Sequence, residues 1–448
     1  MPAETRNPSG EEKILPANPG PREVAVGRQR GWAARSARVI GSGVIAGAAD
    51  DDPATIGTCA SIGAAVGFAS LWTMLFTFPL MAGVQYLSAK IGQVTGMGLA
   101  GVVRKHYPRW LLYPMLIGLV LANTLNAAAD LGAMAASLRL FVPVPPALLI
   151  LPVGILILVL QVWAKYRFIE RTFRWLTLSL LAYIGAAIVV DPPVAPVLWG
   201  TFVPAWRWDA PYLEALLAVV GTSFPAYLYF WQAELEVEEK AELGQQHWWQ
   251  RRGTTGRELK LTAWDVNFGM FASNLVTYCI ILTSAATLHQ HGVTEVQTAE
   301  QLADALRPLA GPAASLLLTL GIVGTGLLAV PILSASSAYA IAETMGWPRG
   351  LNRRPGNARE YYALIAATTL VALALNFVGV NPIRALYWTS LLYGILAPPL
   401  LILVLLITNN RKIVGQHTNG WLANGVGGIA ALAATAAAVA LLIVSVRG

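Results

Sequence analysis

Eleven apolar runs, most of them twenty residues or longer, dominate the chain; they lie at 38–66, 69–89, 111–138, 147–164, 172–190, 211–233, 263–288, 313–342, 361–380, 383–408 and 421–446. Such runs cross a hydrocarbon core of ~30 Å as helices. Lipid offers no hydrogen bonds, so each backbone must bond to itself, which selects the α-helix. Composition agrees: 56% of residues are hydrophobic and 12% charged, against about 25% charged in soluble domains. These values exclude an ordinary soluble domain and a disordered chain. With two cysteines, Cys59 and Cys279, a disulfide scaffold is excluded too. Both sit in apolar runs and read as buried thiols. The expected fold class is all-α integral membrane, with eleven transmembrane helices.

The net charge of +7 does not signal nucleic-acid binding, because Lys and Arg collect in cytoplasmic loops of membrane proteins. With a cytoplasmic N-terminus and eleven alternating helices, 26 of the 31 basic residues fall on the inner side. Only Arg139, Arg207, Arg307, Arg384 and Arg447 fall outside. The expected topology is N-in, C-out, in the plasma (cytoplasmic) membrane, as a monomer whose one large partner is the bilayer. Residues 1–35 read as a disordered cytoplasmic tail without a signal peptide. The acidic-then-basic stretch 234–262 reads as a solvated loop with a helical end. Thr298-Ala299-Glu300-Gln301 reads as the capped start of a short helix.

The first run carries the chemistry. Asp50, Asp51 and Asp52 stand consecutively inside it, followed at once by Pro53. Each buried charge there costs at least ~2.5–3.5 kcal/mol. Pro53 removes an amide donor and breaks the ladder. A broken helix at membrane depth persists only inside protein or beside water. Its freed carbonyls and the negative end of its first half favour a cation. Neighbouring helical residues point ~100° apart, so three carboxylates cannot face one ligand. Asp52, beside the break, is the candidate ligand; Asp50 and Asp51 are expected to line a vestibule.

The sixth run has a matching break at Pro225, within Gly221-Thr222-Ser223-Phe224-Pro225-Ala226-Tyr227. Interrupted helices at corresponding positions of two halves point to a midplane transport site. Ser223, Tyr227 and Gln232 are then candidates for its surroundings. In the third run, Asn123, Asn126 and Asp130 share one helix face, which suits a polar path or inter-helix bonding. Gly321, Gly324, Gly326 and Ser334, Ser336, Ser337 of the eighth run suit close packing. The five histidines all fall in loops or at helix ends.

Several motifs are similar to the Nramp divalent-metal transporters. Asp52-Pro53-Ala54-Thr55 resembles that family's Asp-Pro-Gly-Asn signature. Leu71-Trp72 and Gln85-Tyr86-Leu87-Ser88-Ala89-Lys90-Ile91-Gly92-Gln93-Val94-Thr95-Gly96 resemble its second helix and inner loop. Ala129-Asp130-Leu131, Ser336-Ser337-Ala338-Tyr339 with Glu343, and Asn409-Asn410-Arg411-Lys412-Ile413 resemble further family segments. The resemblance covers roughly 36–415. It implies a LeuT-like fold of two inverted five-helix repeats, 36–190 and 211–408, with an extra helix at 421–446. It also implies metal held by the first motif, by helix 1 and 6 carbonyls (here Ala49 and Gly221), and by a sixth-helix Met-Pro-His.

The departures bear on selectivity. Thr55 stands at the Asn position, Phe224-Pro225-Ala226 at Met-Pro-His, and Ala133 where a helix 3 Glu is expected. The match is better to the divergent Nramp-related magnesium-transporter branch. A thioether favours softer metals; carboxylate, hydroxyl and carbonyl oxygens suit Mg²⁺, Ca²⁺ or Mn²⁺. The expected function is a secondary transporter or facilitator of Mg²⁺/Mn²⁺-type cations, with the metal as substrate and no cofactor or enzymatic activity. The alternative is a LeuT-fold carrier of an organic cation or amine, with Phe224, Tyr227, Tyr229 and Trp231 as an aromatic cage.

Overall fold

The computed structural model describes residues 42–163, 181–205, 207–242, 244–245, 248–351, 353 and 355–447, and among them no residue is in a β-strand. The tail 1–35 and the first half of the fifth run lie outside the described residues.

The first run is two helices, α1 (Ser42–Asp50) and α2 (Pro53–Val66). A 3-10 turn at Gly67–Ser70 leads to α3 (Leu71–Thr95), and α4 (Leu99–His106) precedes α5 (Arg109–Leu138). Next come α6 (Pro146–Trp163), α7 (Leu181–Val189) and α8 (Val194–Phe202). The sixth run is also two helices, α9 (Ala210–Ser223) and α10 (Ala226–Glu242). The long α11 (Gly256–Thr287), the short α12 (Ala299–Asp304) and α13 (Ala314–Met345) follow. Finally come α14 (Arg359–Leu375), α15 (Pro382–Asn409) and α16 (Trp421–Arg447). Among the described residues, eight stretches suffice by length and composition to cross a membrane, and one of them, Pro53–Thr95, joins the second half of the first apolar run to the second run.

The broken helices sit at the centre of the bundle. α11 packs along both halves of the first run, α5 along α13, and α9 along α15. α15 also reaches α2 and α5, so the first break is enclosed on several sides. Glycine sets the closest approach. A Cβ on Gly47 or Gly269 would run into the backbone of the opposing helix, so α1 and α11 cross backbone to backbone. The outward faces are apolar: Ile117, Leu121 and Leu125 on α5, and Trp388, Ile395, Ile402 and Leu406 on α15, are all exposed. A face of this kind requires lipid rather than water.

Two expectations need correction. The segment from Glu234 is not a solvated loop. α10 continues through it to Glu242, with Glu234, Glu236 and Glu239 buried. Glu236 accepts from the Ser42 hydroxyl (2.6 Å), from the Gln232 amide (3.1 Å) and from the Gln93 amide. Arg349 Nη2 lies 2.7 Å from Glu343 and its Nε 3.6 Å from Glu234. Burial opposes the Arg349 charge, yet the Glu343 and Glu234 carboxylates outweigh it and hold the guanidinium pKa above its usual value. The helical end of the segment does form, with Thr255 and Glu258 as a capping box. The second correction is α8, absent from the run list. Nine residues are too short to span, and Pro193 and Pro196 disguise it. The helix at Thr298 appears as read, with a capping box between Thr298 and Gln301.

Candidate metal-binding site

Asp52 organises the first break. Its backbone is extended (φ −75°, ψ 169°), as expected before proline. Its Oδ1 accepts from the Thr55 amide at 2.7 Å, so Asp52 is the N-cap of α2, with Pro53 in the first turn. Oδ2 accepts from Asn126 Nδ2 at 2.8 Å and lies 3.5 Å from the Tyr227 hydroxyl. Asp52 is only 3% exposed, so these donors replace its water. A carboxylate offers about four lone-pair sites, which leaves capacity for a cation.

Both prolines orphan a carbonyl. Pro53 has no amide for the Ala49 carbonyl, four residues before it, and Pro225 has none for Gly221. The Tyr227 hydroxyl donates to the Ala49 carbonyl at 2.9 Å. The start of α10 thereby touches the end of α1, and the two breaks meet at Asp52. Thr55 Oγ1 donates to the Asp50 carbonyl at 2.8 Å, capping the first half-helix; its lone pairs stay available. Phe224 breaks the helical pattern (φ −130°, ψ 48°) and its ring is buried. Gly221 lies against the Ser390 carbonyl of α15, where no Cβ fits. Ser223 is buried beside Phe224.

Asp52 turns to Asn126, while Asp50 and Asp51 share one partner on α11. Asp50 and Asp51 do not line an open vestibule. They are 2% and 7% exposed, and both accept from the Ser273 hydroxyl of α11, at 2.8 and 2.9 Å. Gln232 lies away from the site, bonded to Gln85, Ser42 and Glu236. Asp130 of α5 is fully buried and faces the Ala54 amide at the start of α2. Among the described residues no three His, Cys, Asp or Glu converge on one point. The arrangement is one carboxylate with neutral oxygens around it, suited to a cation that must also leave.

The helix 3 face extends the site outward. Asn126 Oδ1 accepts from Thr389 Oγ1 of α15 at 3.0 Å, and Asn123 Oδ1 from the Tyr393 hydroxyl at 2.8 Å. Asn123 Nδ2 donates to Ser337 and to the Leu333 carbonyl of α13. Ser273, Thr389 and Tyr393 were missed by sequence reasoning. The aromatic residues of the sixth run do not form one cage. The Tyr227 ring faces Tyr393 (5.8 Å) and Trp231 faces Tyr339 (6.3 Å), while Tyr229 lies ~200° around α10 from Tyr227.

Two broken helices meeting at one buried carboxylate inside a polytopic helical bundle are the architecture of a membrane transporter. The chain belongs to the Nramp family: the profile described as "Natural resistance-associated macrophage protein-like" matches residues 43–444. It is 26% identical over 399 residues to the divalent metal cation transporter MntH of Klebsiella pneumoniae subsp. pneumoniae, covering 87% of this chain and 90% of that one. MntH of Mycobacterium tuberculosis is 25% identical over 415 residues, 92% of each chain. The fold is similar to that of the Eremococcus coleocola manganese transporter (TM-score 0.70, 17% identity, 97% of this chain and 90% of that one). Mhp1, a nucleobase-cation-symport-1 family transporter, shares it more distantly (TM-score 0.56, 14% identity, 91% and 92% covered). The LeuT-like architecture implied by the sequence motifs is the one these structures share.

Proposed function

We propose that this chain is a secondary transporter or facilitator of divalent metal cations of the Mg²⁺/Mn²⁺ type, working by alternating access. One observation carries the reading: the Asp52 carboxylate lies where the two helix breaks meet, beside the carbonyl that Pro53 orphans at Ala49. The ligands assigned are Asp52, Thr55 and the carbonyls of Ala49 and Gly221, with Phe224 as an apolar wall. Asn126, Tyr227 and Ser223 support them; Asp50, Asp51 and Asp130 add buried carboxyl groups around the first break, and Gln232 lies outside the site. The names of the MntH relatives and of the manganese transporter support a divalent cation. Phe224 and Ala226 at the Met and His positions favour hard oxygen coordination, which supports the likeness to the magnesium-transporter branch. Mg²⁺ sheds water reluctantly, so an ion that keeps part of its shell tolerates one apolar wall.

The reading includes eleven spans, with repeats at 36–190 and 211–408 and an added helix at 421–446. It includes a plasma-membrane location with the N-terminus cytoplasmic, supported by the distribution of Lys and Arg. It includes a working monomer. The test is uptake of Mg²⁺, Mn²⁺, Ca²⁺ and Fe²⁺ into proteoliposomes. Uptake of Mg²⁺ and Mn²⁺, abolished in Asp52→Ala, is expected. Uptake of none, or of an organic amine in preference, would overturn the reading.

A further inference from the structure

A cavity of about 230 Å³ opens between α5, the end of α14 and the start of α15. It exceeds the ~150 Å³ apolar cavity that admits a benzene ring. Leu125, Ala128, Asn376, Val378, Trp388 and Thr389 are among its walls. The donors of its two polar side chains are already used. Asn376 Nδ2 donates to the Ala128 and Ala372 carbonyls, and Thr389 Oγ1 to Asn126 and the Leu386 carbonyl. The walls therefore present hydrocarbon, and a polar ligand would lose its water for nothing.

The mouth shows what fills it. Leu125 continues the exposed row Ile117, Leu121 on α5, and Trp388 begins the exposed row Ile395, Ile402 on α15. Both rows face lipid, so the cavity is continuous with the lipid-facing surface and its nearest solvent is acyl chain. The inner wall leads to the metal site: Thr389 is 5% exposed and holds Asn126, which holds Asp52. We propose that the acyl chain of a membrane lipid occupies this cavity and, by pressing on Thr389, sets the position of Asn126 against Asp52. The second half rests on the reading of Asp52 as a metal ligand; the first does not.

The experiment uses the full chain in vesicles that contain a phosphatidylglycerol with a diazirine on its acyl chain. Labelling by bulk lipid follows exposure, so Leu121 (57%) would exceed Leu125 (40%) and far exceed Ala128 (8%). A seated chain reverses that order at Ala128 and Leu125, and Ala385→Phe or Leu392→Trp, which fill the cavity, abolish the reversal. Labelling that simply tracks exposure, or that ignores both fillings, overturns the site. For the coupling, Mn²⁺ affinity is measured in a double-mutant cycle. Ala385→Phe is expected to shift Kd by ~3-fold or more in the parent and not in Thr389→Val. Equal shifts in the two backgrounds overturn the coupling and leave the labelling result standing on its own.

Discussion

Asp52 does two things at once, and they separate by mutation. It caps α2, and its carboxylate is the one that reaches the Tyr227 side of the junction. Asp52→Ala removes a cap worth ~1 kcal/mol and leaves the Asn126 amide unpaired, a further ~1–3 kcal/mol. The protein is therefore expected to remain monodisperse on size exclusion with a lowered Tm, and to bind no Mn²⁺ by calorimetry. Wild-type affinity in that variant would remove Asp52 from the site. Phe224→Met adds a thioether and is expected to raise Cd²⁺ affinity relative to Mn²⁺. A parent that already prefers Cd²⁺ strongly would contradict the oxygen-only donor set. Asp52, Pro53, Asn126 and Pro225 were legible because a charge, an amide or a proline inside an apolar run is a local anomaly. Ser273, Thr389 and Tyr393 were not. Thr389 can satisfy its hydroxyl on its own helix at the Leu386 carbonyl, so nothing in the sequence distinguishes a hydroxyl that also reaches across.

Among the elements, α1 shows how contact between helices depends on side chains that are missing. Gly47 and Gly269 allow two backbones to touch, and close approach is what holds helices together where lipid removes the hydrophobic drive. Gly269→Val is expected to destabilise by ~1–3 kcal/mol or more, read as a lower Tm in detergent. An unchanged Tm would mean the crossing is looser than described. The end of α10 was misread for a related reason. Glu234, Glu236 and Glu239 have no apolar periodicity, and what buries them is distant in sequence: Ser42, Gln93 and the Arg349 turn. Burial of a charge is a property of its neighbours, and local pattern does not contain it.

For the whole molecule, the question is what drives the ion. Near Asp52 the titratable side chains with a carboxyl are Asp50, Asp51 and Asp130; the family's helix 6 imidazole is Ala226 and its additional helix 3 acid is Ala133. Proton coupling is expected to be weak or absent, with uptake driven by concentration and by membrane potential. That potential is worth ~2.3 kcal/mol per charge per 100 mV, and a divalent ion gains twice as much. Uptake should rise with an inside-negative potential and leave the vesicle lumen at constant pH. Metal-dependent acidification that disappears in Asp130→Asn would assign a proton route to Asp130.

One consequence of the first break concerns leverage. The described part of α1, Ser42–Asp50, has nine residues, about 13 Å at 1.5 Å per residue. At Ser42 and Gly43 it is held by the Ser42 hydroxyl on Glu236, by the Gln232 amide on Ser42 and by the Gly43 amide on Asp265, and its near end is the non-helical joint at Asp51–Asp52. Once those three bonds part, a tilt of about 20° about the joint carries Ser42 roughly 5 Å at that rise per residue. That is wider than a water molecule, and Asp52, seated at the fulcrum, barely moves.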